Sequence, residues 1–170
     1  MSIIKKILLI LTIIFIGFYS QLTANEVKKI GKYKDWESMV VIEDTGKVCF
    51  AQSSPILQSP KSNNKRDAKL FISFRPTDKI IDEVSVTAGY EFNSNTVTAQ
   101  SGKNKFKFDI KEQGFAWIAD GKIEFRMIKR MKKGSRIMIT GYNQKGSQTI
   151  DHYSLLGFTK AYNSSKKACS

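Results

Sequence analysis

Few residues in this 170-residue sequence could take part in acid–base, nucleophilic or metal chemistry. His152 is the only histidine, and residues 150–153 around it alternate as a β-strand does. A nucleophilic triad needs a base beside the nucleophile, and zinc needs three or four ligands close together. Asp82 and Glu83 are adjacent, but neighbouring side chains of a strand point to opposite faces. We therefore expect no catalytic site, no metal site and no cofactor.

The two cysteines, Cys49 and Cys169, are far apart, and the chain has no C-x-x-C motif. In an oxidising compartment an even pair indicates a disulfide rather than a metal site or a reactive thiol. Closing a loop of ~120 residues restricts the unfolded chain and stabilises the fold by at most about 4–5 kcal/mol. We expect this bridge to hold the C-terminus against an early strand.

Basic residues are the most abundant groups that could bind a ligand, and the formal net charge is +13. Two clusters are candidate anion-binding sites. Lys105 and Lys107 share one face of a predicted strand and would present their charges together. The alternative is a solvated surface in a lysine-rich chain. The full candidate set comprises Lys103, Lys105 and Lys107 in the first cluster, and Lys129, Arg130, Lys132 and Lys133 in the second.

The N-terminus predicts a secretory signal peptide over residues 1–24. Lys5 and Lys6 precede an apolar run from Ile7 to Phe18, and Ala24 is a small residue at the expected cleavage site. This run is about 12 residues, whereas a helix that spans hydrocarbon needs roughly 20. We therefore expect no permanent membrane anchor. Residues 25–170 are predicted to form a single domain in the periplasm, in the secreted fraction or at the cell surface.

Most of the remaining chain alternates between apolar and polar residues with period two, which is typical of half-buried antiparallel strands. Aromatic residues within the strands could line a pocket, although aromatics at this spacing are more often core residues. These are Trp36, Phe71, Phe74, Tyr90 and Trp117. The predicted strands cover residues 33–42, 47–53, 70–74, 84–90, 106–110, 136–141 and 148–156, with a short apolar piece at 115–119.

Two segments predict short helices. Asp120 can cap the first helix, which ends near Lys132 and Lys133, and Gly134 suits a left-handed cap. Residues 158–168 form the second and lead to Cys169. Because no strand–helix alternation repeats, the fold class is all-β: an antiparallel β-sandwich with one or two short helices.

A series of short motifs follows in order along the chain. They are GKYKDW (31–36), VCFAQ (48–52), RP (75–76), DEVSVTAGY (82–90), AWI (116–118), MKKGS (131–135), GSQTIDHYSLLGF (146–158) and AC (168–169). In order and spacing they resemble the invasion-associated locus B (IalB) family of exported alphaproteobacterial proteins.

The resemblance implies an immunoglobulin-like β-sandwich in the periplasm or at the cell surface, without known catalysis and with a link to host-cell interaction. Many members have further cysteines near the positions of Val40 and residues 109–115. This chain therefore resembles a two-cysteine branch.

We expect an exported, non-enzymatic envelope or periplasmic protein that acts as a binding or structural module. Its partner is an unknown envelope protein or an anionic surface, since export removes nucleic acid from reach. The alternative is a polyanion-binding protein that uses its lysine clusters to bind lipid headgroups or polysaccharide. A third hypothesis is an enzyme that uses carboxylates whose convergence the sequence does not reveal.

Overall fold

The computed structural model describes residues 26–170, so the predicted signal peptide lies outside the described residues. Within this range the chain forms strands and two helices. In chain order they are β1 Val27–Tyr33, β2 Trp36–Glu43, β3 Gly46–Ser53, β4 Leu57–Ser59, β5 Lys69–Arg75, β6 Ile80–Thr87, β7 Val97–Ser101, β8 Asn104–Phe108, β9 Ile110–Glu112, β10 Phe115–Trp117, α1 Gly121–Met131, β11 Arg136–Tyr142, β12 Gln148–Ser154 and α2 Phe158–Ala168.

The strands form two antiparallel sheets that pack around one core. Sheet A has the order β1-β2-β3-β5-β6-β10-β9, and sheet B has the order β4-β12-β11-β7-β8. Alternate side chains of each sheet point inward, as the period-two pattern predicts. The predicted class, an all-β antiparallel sandwich with two short helices, is confirmed. The largest fully buried side chains of the core include Trp36, Leu70 and Ile72 from sheet A and Phe108, Ile137 and Tyr153 from sheet B.

Three strands lie where the sequence predicts none. β1 is a lysine-rich edge strand with a bulge between Lys29 and Gly31, and β4 is a three-residue strand at the edge of sheet B. β7 directs Val97, Ala99 and Ser101 inward. Small or mostly exposed side chains leave a weak hydrophobic pattern, which explains why these strands do not stand out in the sequence.

The predicted strand over residues 106–110 is two strands in two sheets. β8 ends at Phe108, and the N–H of Asp109 donates to the carbonyl of Trp117 at 2.8 Å. Ile110 then begins β9 at the edge of sheet A. The chain therefore crosses between sheets at Asp109, although its alternation continues without a break.

Both predicted helices form. The carboxylate of Asp120 accepts a hydrogen bond from the N–H of Lys122 at 2.8 Å, which caps α1. The left-handed cap predicted at Gly134 is wrong, since Gly134 does not have a positive φ. A Cβ there would lie 3.1 Å from Leu155 Cδ1, so close packing is the constraint at this position. No helix within residues 26–170 is long and apolar enough to cross a membrane.

The predicted disulfide is present and joins α2 to sheet A. Cys49 of β3 is bonded to Cys169, which follows α2 directly, and their Cα atoms are 5.8 Å apart. α2 packs on β1, β2 and β3. Ser165 of this helix shares a 2.8 Å hydrogen bond with Ser38 of β2. The bridge thus holds the C-terminal helix against the early strands, as the sequence predicts.

Candidate anion-binding site

One face of α1 carries a row of basic side chains. Arg126, Lys129 and Arg130 have the spacing i, i+3 and i+4, which places them on one side of a helix with 3.6 residues per turn, and Lys133 continues the row in the turn that follows α1. The basic residues near the helix C-terminus also suit the negative end of the helix dipole. The row faces away from the core because the apolar side chains of the helix, Met127, Ile128 and Met131, are buried.

The hairpin turn between β7 and β8 packs against this helix. Arg130 Nε donates a hydrogen bond to the carbonyl of Ser101 at 3.4 Å. Gly102 has a φ of 59°, and a Cβ there would lie 2.7 Å from Arg130 Nη2. Glycine thus satisfies both the left-handed backbone and the close approach of the guanidinium. This contact places Lys103, the next residue of the turn, beside the end of α1.

The turn, β8 and α1 form a groove of about 560 Å³. Five of the seven predicted anion-binding residues line it, and Arg126 adds a sixth positive charge. In the part of the chain that the structure describes, no acidic side chain lines the groove. Within residues 26–170, none of these six basic side chains forms a salt bridge. The lining residues are Lys103, Asn104, Lys105, Phe106, Arg126, Lys129, Arg130 and Lys133. We call this site the basic groove.

Two of the predicted residues lie outside the basic groove. Lys107 lies further along β8, and its ammonium is 3.4 Å from a carboxylate oxygen of Asp109. Lys132 points to the other side of α1, where its ammonium lies 3.7 Å from the centroid of the Tyr162 ring. Partial burial lowers the pKa of Lys132. Lys132 therefore contacts α2 rather than the basic groove, and this contact is a cation–π interaction.

A second depression, of about 860 Å³, adjoins the basic groove on the outer face of sheet B. Lys105 and Phe106 line both, so the two sites are continuous along β8. We call this site the polar depression. Apart from Lys105, Lys107 and Phe106, its lining consists of hydroxyl and amide side chains: Asn95, Thr96, Thr98, Gln100, Thr140, Tyr142 and Gln148.

A third cleft, of about 370 Å³, lies between the loop after β3 and the start of β12. Arg66 lines this cleft, and hydrogen bonds within the protein fix its side chain. Arg66 donates two hydrogen bonds to the buried carboxylate of Asp151, at 3.0 and 2.6 Å, and a third to the carbonyl of Ala88 at 2.9 Å. Burial raises the pKa of Asp151 despite the neighbouring guanidinium. Most of the donors of Arg66 are therefore already used within the fold.

His152 is half-buried on the outer face of sheet B. Its Nδ1 atom is buried and has no hydrogen-bond partner within the described residues. Asp82 accepts a hydrogen bond from the Tyr162 hydroxyl at 2.5 Å, whereas Glu83 binds Arg75 at 2.7 Å. Among residues 26–170, no group of three or more His, Cys, Asp or Glu side chains is placed to hold a metal ion.

The aromatic residues divide between the core and the surface. Trp36 and Phe74 are core residues, whereas Tyr90 lines the third cleft. Phe71 and Trp117 belong instead to a row of half-buried rings on the outer face of sheet A, whose neighbouring centroids are 5.6–6.1 Å apart. The row consists of Phe50, Phe71, Phe115 and Trp117.

Glu124 is a buried carboxylate at the start of α1. Its Oε1 accepts a hydrogen bond from the N–H of Val84 at 2.7 Å, which ties α1 to β6. Burial, together with the negative charges of Glu83, Asp82 and Asp120, raises the pKa of Glu124 to about 7 against the lowering effect of the hydrogen bond. This group ionises at a pH where most carboxylates are already charged.

Arg126 is the basic residue of the groove that the sequence does not predict. Its spacing from Lys129, Arg130 and Lys133 is the signal that identifies it, because the same spacing excludes Lys132 from that helix face. The hydroxyl and amide residues of the polar depression come from distant segments, and only the pairing of β7, β8, β11 and β12 places them together.

Together these features define a disulfide-linked antiparallel β-sandwich with a basic groove at the end of one helix. The chain belongs to the invasion associated locus B (IalB) protein family, whose model matches residues 36–166. No curated protein and no solved structure matches the chain. The assignment to a two-cysteine branch of the family stays a prediction.

Proposed function

We propose that this protein is an exported, non-catalytic binding module of the cell envelope, and that it binds polyanions through the basic groove. The observation that supports this proposal is the convergence of six basic side chains in one groove, whose lining holds no acidic side chain among residues 26–170. Three separate segments supply these side chains: the β7–β8 turn, β8, and α1 with the turn that follows it.

Physical chemistry favours an anionic ligand for such a groove. Like charges held together in a concave site raise the local concentration of an oppositely charged ligand and speed its association. A polyanion that binds here releases counterions, so its affinity falls as salt rises. Lys and Arg can both bind phosphate, sulfate and carboxylate groups, and Arg can do so with two parallel hydrogen bonds.

The envelope location rests on three supports. The predicted signal peptide precedes the domain, the disulfide suits an oxidising compartment, and the family is the invasion associated locus B family. Anionic lipid headgroups and acidic polysaccharides are the abundant polyanions of such a location. A role at the host-cell interface, which the family name suggests, belongs to the same proposal.

The test compares two charge-reversal variants of equal net charge on an immobilised polyanion such as heparin. The groove variant carries Lys105→Glu, Lys129→Glu and Lys133→Glu. The control variant carries Lys61→Glu, Lys65→Glu and Lys160→Glu, which are exposed and lie outside both the basic groove and the polar depression. We expect the groove variant to elute at much lower salt than the control variant.

Equal losses in the two variants would show that only net charge matters and would overturn the proposed site.

The proposal that the protein is not an enzyme has its own test on envelope substrates such as peptidoglycan and phospholipid. Hydrolysis that His152→Ala abolishes would contradict it. The N-terminal sequence of the exported protein should begin at Asn25, and an intact N-terminus would contradict the predicted cleavage.

A further inference from the structure

We infer that the ligand is an acidic polysaccharide, which lies across both the basic groove and the polar depression. This inference rests on the proposed function and names the ligand class of the same site. Its starting point is that Lys105 and Phe106 line both sites.

The two sites form one track along β8 and across sheet B. Lys103 lines the groove, Lys105 lines both sites and Lys107 lines the depression. With a rise of about 3.4 Å per residue, the three lysines of the track span roughly 14 Å of the turn and the strand. A chain with repeated anionic groups can occupy several of these positions at once, whereas a single phosphate group can occupy only one.

The polar depression offers the hydrogen-bonding groups that sugar hydroxyls require. Thr98 of β7 pairs with Lys107 of β8 on one side and with Thr140 of β11 on the other, so three polar side chains form a row across the sheet. Gln148 Nε2 donates to the Tyr142 hydroxyl at 2.8 Å. The hydroxyl proton of Tyr142 and the side-chain carbonyl of Gln148 remain able to bind a ligand.

This mixture of donors and acceptors distinguishes a sugar from a bare anion. A phosphate or carboxylate group without sugar hydroxyls needs donors only, which lysine and arginine already supply. Sugar hydroxyls both donate and accept. The hydroxyl and amide side chains of the depression can do the same, so they add affinity only for a ligand that carries hydroxyl groups.

The apolar surface of the track is too small to favour a bilayer. Proteins that bind at a membrane interface insert exposed apolar side chains between the lipids. Phe106, which has the only fully apolar side chain among the lining residues that the structure describes, is only 6% exposed. Phe125 of α1 is 59% exposed, but it lines neither the groove nor the depression. Phe125 therefore offers a direct test of the membrane alternative.

The experiment measures the binding of the exported protein to three probes at fixed salt: polygalacturonate, vesicles of phosphatidylserine, whose headgroup carries no hydroxyl group, and neutral dextran. The depression variant carries Thr98→Val and Thr140→Val, which remove two hydroxyl groups and keep β-branched side chains on the sheet. A control variant, Thr159→Val, removes an exposed hydroxyl of α2. The groove variant described above is measured with the same probes.

We expect polygalacturonate to bind more tightly than the vesicles or dextran. The depression variant should bind polygalacturonate about tenfold more weakly, the loss expected for two hydrogen bonds. The depression variant should bind vesicles as the wild-type protein does. The Thr159→Val control should bind polygalacturonate as the wild-type protein does. The groove variant should lose binding to both anionic probes.

The outcomes separate the two proposals. No binding of the wild-type protein to either anionic probe would overturn the proposed function itself. Polyanion binding that depends on the groove but not on Thr98 and Thr140 would overturn only the inference. Tighter binding to vesicles, weakened by Phe125→Ser, would also overturn it and would assign a lipid surface to the exposed side of α1.

Discussion

Trp36 joins the two sheets, since its indole N–H donates to the main-chain carbonyl of Ser154 at 2.8 Å. The ring is fully buried and packs edge-on against Phe158, with centroids 4.8 Å apart. Trp36→Phe should lower the free energy of unfolding by about 2–4 kcal/mol, because it removes a buried donor and leaves a cavity. Urea unfolding measures the change. Trp117→Phe, on the half-buried outer row, is the control, and equal losses in both variants would contradict this role.

The disulfide should account for a large part of the stability. Replacing both Cys49 and Cys169 with serine should lower the free energy of unfolding by as much as about 4–5 kcal/mol, since the unfolded chain regains the freedom of a long loop. The same urea experiment measures this change. Reductant should destabilise the wild-type protein and leave the double variant unaffected. Free thiols titrated in the denatured, unreduced wild-type protein would contradict the bridge.

Lys132 and Lys133 are neighbours in sequence but should differ in effect. Lys133 lines the basic groove, whereas Lys132 lies over the Tyr162 ring. Lys133→Gln should weaken binding to a polyanion with little change in stability. Lys132→Gln should leave that binding unchanged and lower the free energy of unfolding by about 0.5–1 kcal/mol, the value of an exposed cation–π contact. Salt elution from heparin and urea unfolding measure the two effects, and equal binding losses would contradict the assignment.

The parts of the fold that the sequence predicts are those where bulky residues repeat. Leu70, Ile72 and Phe74 identify β5 because each large side chain points into the core. In β7 the inward residues include Ala99 and Ser101, which are too small to give the same signal. The crossing at Asp109 has no sequence signal, because alternation along a strand does not reveal which sheet the strand joins.

The residues of the candidate site divide in the same way, into those that local spacing predicts and those that only long-range contacts bring together. Local spacing is enough to place Lys129 and Arg130 on one helix face, with Lys133 in the turn directly after it. The contact between Gly102 and Arg130, which brings the β7–β8 turn to the helix, links residues distant in sequence. Position in the sequence alone predicts Lys132 in the cluster, whereas its side chain lies over Tyr162 of another helix. Long-range packing therefore determines which of the basic residues act together.

Glu124 should make the stability depend on pH. Its pKa is raised from 4.5 to about 7 in the folded protein, so the folded state binds this proton more tightly than the unfolded state does. The resulting stabilisation is complete below pH 4.5 and is lost as the pH rises to about 7. Glu124→Gln keeps an acceptor for Val84 but cannot ionise. Relative to wild type, its unfolding free energy should be similar at pH 4 and higher at pH 8 by up to about 3 kcal/mol. Urea unfolding across this range, with the exposed Glu112→Gln as control, measures the difference, and a difference that is constant with pH would contradict the assignment.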